Sequence, residues 1–223
     1  RFTRLTLLAL AGLLPAVITC GGDSTGPSLP AALSRVGGDG QSAAVGQALS
    51  SPLVVKVVDA SGSAVQGVAV TWAVASGGGS VSPSSSTTDA QGLASTTWTL
   101  GLIAGSNSAT ARVAGNAAIS PVSFTASAQA GPAAKLSFTV QPSAVAAGAS
   151  CSPAIRMTVQ DALGNTVTSA TTSITLAITS GTGTSGAALG GTPTRAAVAG
   201  VASFPDLTVN VAGTGYTLTA TAT

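Results

Sequence analysis

Few residues of this chain belong to the types that usually carry catalysis. Its 223 residues include no His and no Glu, and the six acidic residues are all Asp. Nucleophilic catalysis needs a base beside the nucleophile, so a Ser or Cys triad lacks its usual partners, and only Ser/Lys or paired Asp arrangements stay open. The inventory predicts a protein that is not an enzyme and that uses no cofactor.

Three of the Asp residues, Asp59, Asp89 and Asp161, each stand alone three residues before a glycine. Calcium takes six to eight oxygen ligands, usually from carboxylates close together in the sequence. An Asp that opens a turn instead bonds the backbone two residues further on, and a following Gly accepts positive φ. The spacing favours turns over metal sites, and no metal ligands are predicted.

The two tryptophans and one cysteine are the remaining candidates for binding. Trp72 alternates with Val70 and Val74, which is typical of a core position. Trp98 is flanked by Ser and Thr, so we expect partial exposure and a possible ligand-stacking role. Cys151 precedes a strand pattern and is expected to be a partly buried thiol, with an intermolecular disulfide as the alternative.

The N-terminal segment resembles a targeting signal. Arg1 and Arg4 precede a short apolar stretch, residues 5–19, that is shorter than the roughly 20 residues a membrane span needs. The tetrapeptide ending at Cys20 resembles a bacterial lipoprotein processing site, although Thr19 departs from the usual small residue. We therefore expect Cys20 to be lipidated, with an ordinary signal peptide or a true membrane anchor as alternatives.

Composition points outside the cytosol. Charged residues make up 6% of the chain, against about 25% in an average soluble domain. The formal net charge of +2 is spread along the chain without a basic patch, so nucleic acid is not an expected partner. A chain rich in Thr, Ser, Val, Ala and Gly predicts a β-rich protein of the cell envelope or cell surface.

One stretch of the chain occurs twice, and it contains two of the Asp residues discussed above, Asp59 and Asp161. Asp59 and Asp161 are 102 positions apart, and the residues two, four and six before each of them are apolar. Alternation with a period of two is typical of a half-buried strand. Each copy therefore predicts a strand that runs into a turn, and the spacing matches one small β domain.

The strand and turn patterns divide the chain. The predicted parts are a signal segment (1–20), a flexible tether (21–29), a first β domain (30–129), a linker containing Pro132 (130–134) and a second β domain (135–223). Because the last predicted strand has no polar tail, we expect a fragment of a longer repeat array.

Several motifs together resemble the bacterial immunoglobulin-like domains of the invasin and intimin type. They are VVDASGSAV (57–65), VTWAV (70–74) before GGG (77–79), TDAQG (88–92), WTLG (98–101) and AGTGY (212–216). The second repeat departs from the pattern, because RAAVAG (195–200) replaces the Asp-x-x-Gly turn. The resemblance implies two tandem Ig-like β-sandwiches on a bacterial surface.

Two functions from different classes are consistent with these observations. The first is a non-enzymatic envelope protein whose tandem Ig-like domains act as a structural spacer or adhesive stalk, held to the membrane through a lipid on Cys20. The alternative is a module of a larger surface adhesin or surface enzyme that binds a glycan or protein on a host or neighbouring cell.

Overall fold

The computed structural model describes residues 28–223, which form β-strands joined by turns and loops. The signal segment, Cys20 and most of the tether lie outside these residues, so they stay predictions. In the described range, no helix is long and apolar enough to cross a membrane.

The first half of the described chain contains nine strands. They are β1 (Ala32–Gly37), β2 (Gln41–Ala44), β3 (Leu53–Val58), β4 (Ala69–Ser76), β5 (Gly79–Ser82), β6 (Ser85–Thr87), β7 (Leu93–Leu100), β8 (Gly105–Val113) and β9 (Val122–Gln129). A four-stranded sheet has the order β1-β3-β7-β5, and a five-stranded sheet has the order β2-β9-β8-β4-β6. All pairs are antiparallel except β2 with β9, which run parallel.

The second half repeats this plan with shorter strands. They are β10 (Lys135–Val140), β11 (Ile155–Gln160), β12 (Ser173–Ile178), β13 (Leu189–Gly190), β14 (Thr194–Ala196), β15 (Val201–Phe204), β16 (Thr208–Val209) and β17 (Leu218–Ala222). The sheets have the orders β10-β11-β15, β14-β12-β17 and β13-β16. The pairing of β10 with β11 carries a bulge near its end, as the pairing of β1 with β3 does.

The alternating residues of the repeated stretch form the centre of each sandwich. Leu53, Val55 and Val57 are buried in the first, and Ile155, Met157 and Val159 are buried in the second. The two hydrophobic clusters share no member. Because the apolar faces of the strands pack inward around a separate core in each half, the expected all-β fold of two tandem sandwiches is confirmed.

The turn that differs between the repeats is a tight hairpin in the second sandwich. Ala199 and Gly200 both have positive φ, and Val198 and Val201 bond to each other across them. Two left-handed central residues suit the twist of a two-residue hairpin. Gly200 still does what Gly92 does, since their carbonyls accept the N–H groups of Val159 and Val57 respectively, at 2.8 Å.

Two stretches rich in turn residues also contribute to strands. The serine-rich stretch 82–86 contributes to both β5 and β6. In the second sandwich, β15 ends at Phe204, and β16 is a separate two-residue strand. Pro205 follows Phe204 directly, and its ring removes a backbone donor at that point.

Candidate functional site at the junction between the sandwiches

The carboxylates of Asp59 and Asp89 hold turns. Asp59 Oδ1 accepts the N–H groups of Ser61 and Ser63 at 2.9 Å. Asp89 Oδ1 accepts those of Gln91 and Leu93 at 2.9 and 2.8 Å. Each carboxylate therefore stabilises its own hairpin.

Asp161 makes the same turn and also holds the segment between the two sandwiches. Its Oδ1 accepts the N–H groups of Leu163 and Asn165 at 2.9 and 2.8 Å. Its Oδ2 accepts the N–H of Gly131, at 2.9 Å. Because only 2% of Asp161 is exposed, these bonds lie away from water, where they count for more. Asp161 fixes the path of the linker against the second sandwich.

Asn165 connects the second sandwich directly to the first. Its side-chain Nδ2 donates to the backbone carbonyl of Leu102 at 2.9 Å, and its Oδ1 accepts the N–H of Ala104 at 2.9 Å. Nδ2 also donates to Asp161 Oδ2 at 3.0 Å. The Asn165 side chain therefore bonds a loop of the first sandwich through both its N–H donor and its oxygen acceptor. This double bonding fixes the orientation of the amide group.

The electrostatics of the junction follow from these bonds. Burial of Asp161 acts to raise the pKa of its carboxyl, but hydrogen bonds from the Asn165 side chain and from the N–H groups of Gly131, Asn165 and Leu163 outweigh it. Together they lower the pKa of Asp161 to about 2. The carboxylate is therefore ionised above about pH 3, and it remains the hydrogen-bond acceptor for the N–H of Gly131.

A cavity of about 610 Å³ lies beside Asn165, between the two sandwiches. Its walls carry hydroxyl and amide side chains and no charged ones. They comprise Ala104, Gly105, Ser127, Ala128, Gln129 and Ala130 from the first sandwich and the linker, and Asn165, Thr166, Val167, Thr168 and Ser169 from the second. The cleft is therefore lined by hydroxyl, amide and small apolar groups and by no charged side chain.

The expectation of partial exposure at Trp98 is wrong, and this residue offers no stacking surface. Trp98 is fully buried, in the same core as Trp72. Trp72 donates its indole N–H to Ser86 Oγ at 2.9 Å, and its ring centroid lies 6.0 Å from that of Phe124. Both tryptophans pack the first sandwich.

Cys151 is buried in the core of the second sandwich, and burial raises the pKa of its thiol. A buried neutral thiol reacts slowly. Asp39 and Asp206, which the sequence analysis left without a role, form ion pairs with Arg35 and Arg195. The described carboxylates are therefore engaged with hydrogen-bond donors of the chain itself.

Metal ligands are not grouped in the part of the chain that the structure describes. Within residues 28–223, no three His, Cys, Asp or Glu side chains lie close enough to hold an ion. Asp59, Asp89 and Asp161 sit on separate turns, and their oxygens accept backbone N–H groups.

The role of Asn165 was missed from the sequence. The repeat itself contains a signal: Asp59 is followed four positions later by Ser63, and Asp161 at the same spacing by Asn165. Ser63 makes hydrogen bonds only within its own turn. The longer side chain of Asn165 reaches the first sandwich. Where two repeats carry polar side chains of different length at the same position, the longer side chain can bond a neighbour that the shorter one does not reach.

One region of the chain matches a known protein family. The family model of bacterial Ig-like domains (group 1) matches residues 38–127. Solved structures similar to the chain include the adhesin FdeC of Escherichia coli (17% identity, TM-score 0.41, 86% of this chain and 64% of that one). InvE of Yersinia pseudotuberculosis (18%, 0.38, 85% and 54%) and the D00-D0 domain of intimin (21%, 0.33, 43% and 46%) are also similar.

This chain spans between 46% and 64% of the length of those three structures. No curated protein sequence matches it. The family match begins at the turn after β1 and ends inside β9, so it takes in nearly the whole first sandwich. The match therefore identifies residues 38–127 as a bacterial Ig-like domain of group 1.

Proposed function

We propose that this protein is a non-enzymatic spacer or adhesive stalk of the bacterial cell envelope, in which tandem Ig-like sandwiches are held at a fixed mutual orientation. The observation that carries the proposal is the bonding of Asn165, whose side chain reaches from the second sandwich to Leu102 and Ala104 of the first. Two sandwiches joined by a flexible linker would not need such a contact. A spacer benefits from the contact, because it holds the far end of the molecule in a fixed direction relative to the near end.

The linker supports the same role. Gly131 bonds Asp161, and Ala134 donates its N–H to the carbonyl of Gln160 at 2.8 Å. Pro132 between them has a fixed φ. The linker is therefore attached to the second sandwich at two points, which restricts rotation between the domains.

Attachment to the envelope is the part of the proposal that rests on the leader sequence. A lipid on Cys20 would hold the chain at a membrane, and the first sandwich would follow after the short tether. Labelled palmitate should enter the wild-type protein, expressed with its native start in a bacterium that processes lipoproteins, and should not enter Cys20→Ala. Equal labelling of both proteins would remove the anchor from the proposal.

The junction is tested by replacing Asn165 with Ala. Residual dipolar couplings measured by NMR should fit one alignment tensor for both sandwiches in the wild type and two different tensors in Asn165→Ala. The matched control is Asn116→Ala, because Asn116 accepts only the N–H of Ala118 within its own turn. Two independent tensors in the wild type would contradict a fixed orientation.

A second candidate function is recognition of a glycan or a receptor on a host or neighbouring cell. The uncharged cleft beside Asn165 favours it, since hydroxyl and amide groups are suitable partners for sugar hydroxyls. A glycan array with the wild type and with Gln129→Ala tests this function. Binding that is unchanged by the substitution would place recognition outside the cleft.

A further inference from the structure

The backbone around the cleft between the sandwiches is already engaged in bonds of the protein itself. On the wall of the first sandwich, Ser127 belongs to β9, which is paired with β2 on one side and with β8 on the other. On the opposite wall, Asn165 donates its N–H to Asp161 Oδ1 at 2.8 Å. Val167 donates its N–H to the carbonyl of Val159 at 2.9 Å. A peptide strand that extends a sheet needs a free edge, so the cleft does not suit such a ligand.

The polar side chains of the cleft, in contrast, are free to bond a ligand. In the part of the chain that the structure describes, the side chains of Ser127, Gln129 and Thr168 have no hydrogen-bond partner, and all three residues are exposed. Elsewhere on the second sandwich, hydroxyl groups bond each other, as those of Thr179 and Thr219 do at 2.7 Å. The cleft therefore offers donors and acceptors on both of its walls.

The lining also limits the charge of a ligand. Of the described residues around the cleft, none is charged and none is aromatic. An acidic or basic ligand would lose water there without gaining a countercharge, which is unfavourable. Small apolar groups, such as Ala104, Ala130 and Val167, lie among the polar ones. A neutral sugar has the matching chemistry, because its hydroxyl groups donate and accept hydrogen bonds around a framework of C–H groups.

Hydroxyl groups continue from the cleft onto the outer face of the five-stranded sheet. Ser127 lies opposite Ser106 of β8 and opposite Ser42 of β2, and all three serines are exposed. Neighbouring strands are about 4.8 Å apart, so the three side chains form a closely spaced row. Because Ser127 also lines the cleft, this row leads out of it. A ligand longer than the cleft would meet further hydroxyl groups along the row.

We propose that the cleft binds a neutral glycan chain and that the bound chain touches both sandwiches at once. This inference rests on recognition as a function of the cleft, and it adds the class of glycan and the way in which it binds. The cavity volume of about 610 Å³ lies in the range of small-ligand sites, so a short stretch of the glycan fits inside. Because Gln129 and Thr168 lie on different walls, a glycan bonded to both bridges the two domains.

Isothermal titration calorimetry with the intact chain tests the class of ligand. The probes are cellohexaose, maltohexaose and mannohexaose, which are neutral. The matched control for each is the same hexaose with its primary alcohols oxidised to carboxylates. At least one neutral probe should bind saturably, and its oxidised form should bind about tenfold more weakly or not at all, because the cleft offers no countercharge. Failure of all three neutral probes to bind, or equal binding of the oxidised form, would overturn the proposal.

Substitutions on the two walls locate the site. Gln129→Ala and Thr168→Ala should each weaken binding about fivefold, the effect of losing one hydrogen bond. Neither should lower the melting temperature, because both side chains are exposed. The controls are Ser123→Ala, on the outward face of β9 but outside the cleft, and Ser180→Ala, an exposed hydroxyl elsewhere on the second sandwich. Both controls should bind normally. An effect on one wall alone would show that a single sandwich binds the glycan, and would overturn the proposal.

The outcomes separate this inference from the functions proposed above. If the neutral probes bind and neither wall variant weakens them, recognition stands but lies outside the cleft, and the inference is overturned. If only charged glycans bind on the array, recognition stands and the neutral class is wrong. If no glycan binds in either experiment, recognition of a glycan fails together with the inference. The fixed orientation of the two sandwiches, measured by residual dipolar couplings without ligand, is decided independently of all three results.

Discussion

The burial of Trp98 shows that flanking Ser and Thr residues are a poor sign of exposure. One of them, Thr96, lies on the same face of the strand as Trp98, but it is buried and its hydroxyl donates to the carbonyl of Pro83 at 2.7 Å. Ala94, Trp98 and Leu100 lie on the same buried face of β7. A threonine that bonds the backbone of a neighbouring segment behaves as a core residue.

Truncating either tryptophan should therefore destabilise the first sandwich to a similar extent. We expect Trp98→Ala and Trp72→Ala each to lower the free energy of unfolding by about 3–5 kcal/mol, since both remove a large buried side chain. Urea denaturation followed by circular dichroism measures the loss. Ser95→Ala, on the outward face of the same strand, is the control and should change stability little. A small loss for Trp98→Ala would show that its ring is not packed as described.

Acid should act on the junction through Asp161. The pKa of this carboxyl is about 2 in the folded protein, below the value of about 3.9 of an unperturbed Asp. Because the folded pKa is the lower one, the stabilisation is present above about pH 4 and is lost as the pH falls from 4 towards 2. Melting temperatures measured from pH 2 to 6 should fall in this window.

In Asp161→Asn the curve between pH 4 and 2 should be flatter, and stability at neutral pH should be lower, because the amide places a donor where Gly131 needs an acceptor. Asp59→Asn is the matched control on the equivalent exposed turn, where the Ser61 hydroxyl and the N–H of Ser63 lower the pKa of the carboxyl. An unchanged acid profile in Asp161→Asn would contradict the assignment.

At the scale of elements, the hairpin at Ala199 and Gly200 replaces an Asp-x-x-Gly turn and keeps one requirement. A Cβ on Gly200 would lie 2.5 Å from the carbonyl oxygen of Val167, and a Cβ on Gly92 would lie 2.5 Å from that of Val57. Both glycines have positive φ. The backbone of each turn approaches a neighbouring carbonyl group too closely for any side chain.

We therefore expect Gly200→Ala to destabilise the second sandwich by about 1–3 kcal/mol or more, through backbone strain and the clash together. Gly186→Ala is the matched control, since Gly186 also has positive φ but a Cβ there meets open space. Thermal unfolding of both variants separates the two contributions. Equal losses of stability in the two variants would mean that the backbone near Val167 moves away from the new Cβ at no cost.

A strand could be predicted from the sequence where the alternation of apolar and polar residues lies within that one strand. Leu53, Val55 and Val57 alternate within a single strand, and their burial follows from that alternation. The junction could not be predicted in this way, because Asn165 bonds residues 61 and 63 positions away. Such contacts depend on the mutual placement of two domains, which local periodicity does not encode.

At the scale of the whole molecule, each core carries its own reporters. Trp72 and Trp98 belong to the first core, and Cys151 belongs to the second. We expect two unfolding transitions in calorimetry, one followed by tryptophan fluorescence and one by thiol labelling in a Cys20→Ser chain. A single shared transition would mean that the junction couples the two cores completely.

The parallel pairing of β2 with β9 has a mechanical consequence. Pulling on the two ends of the first sandwich moves these strands in opposite directions along their common axis. Their bonds, such as Gly40 to Thr125 and Val45 to Gln129, both at 2.9 Å, then carry the load together and do not open one by one. The first sandwich should therefore keep its length under tension until the force is high enough to break this set of bonds at once.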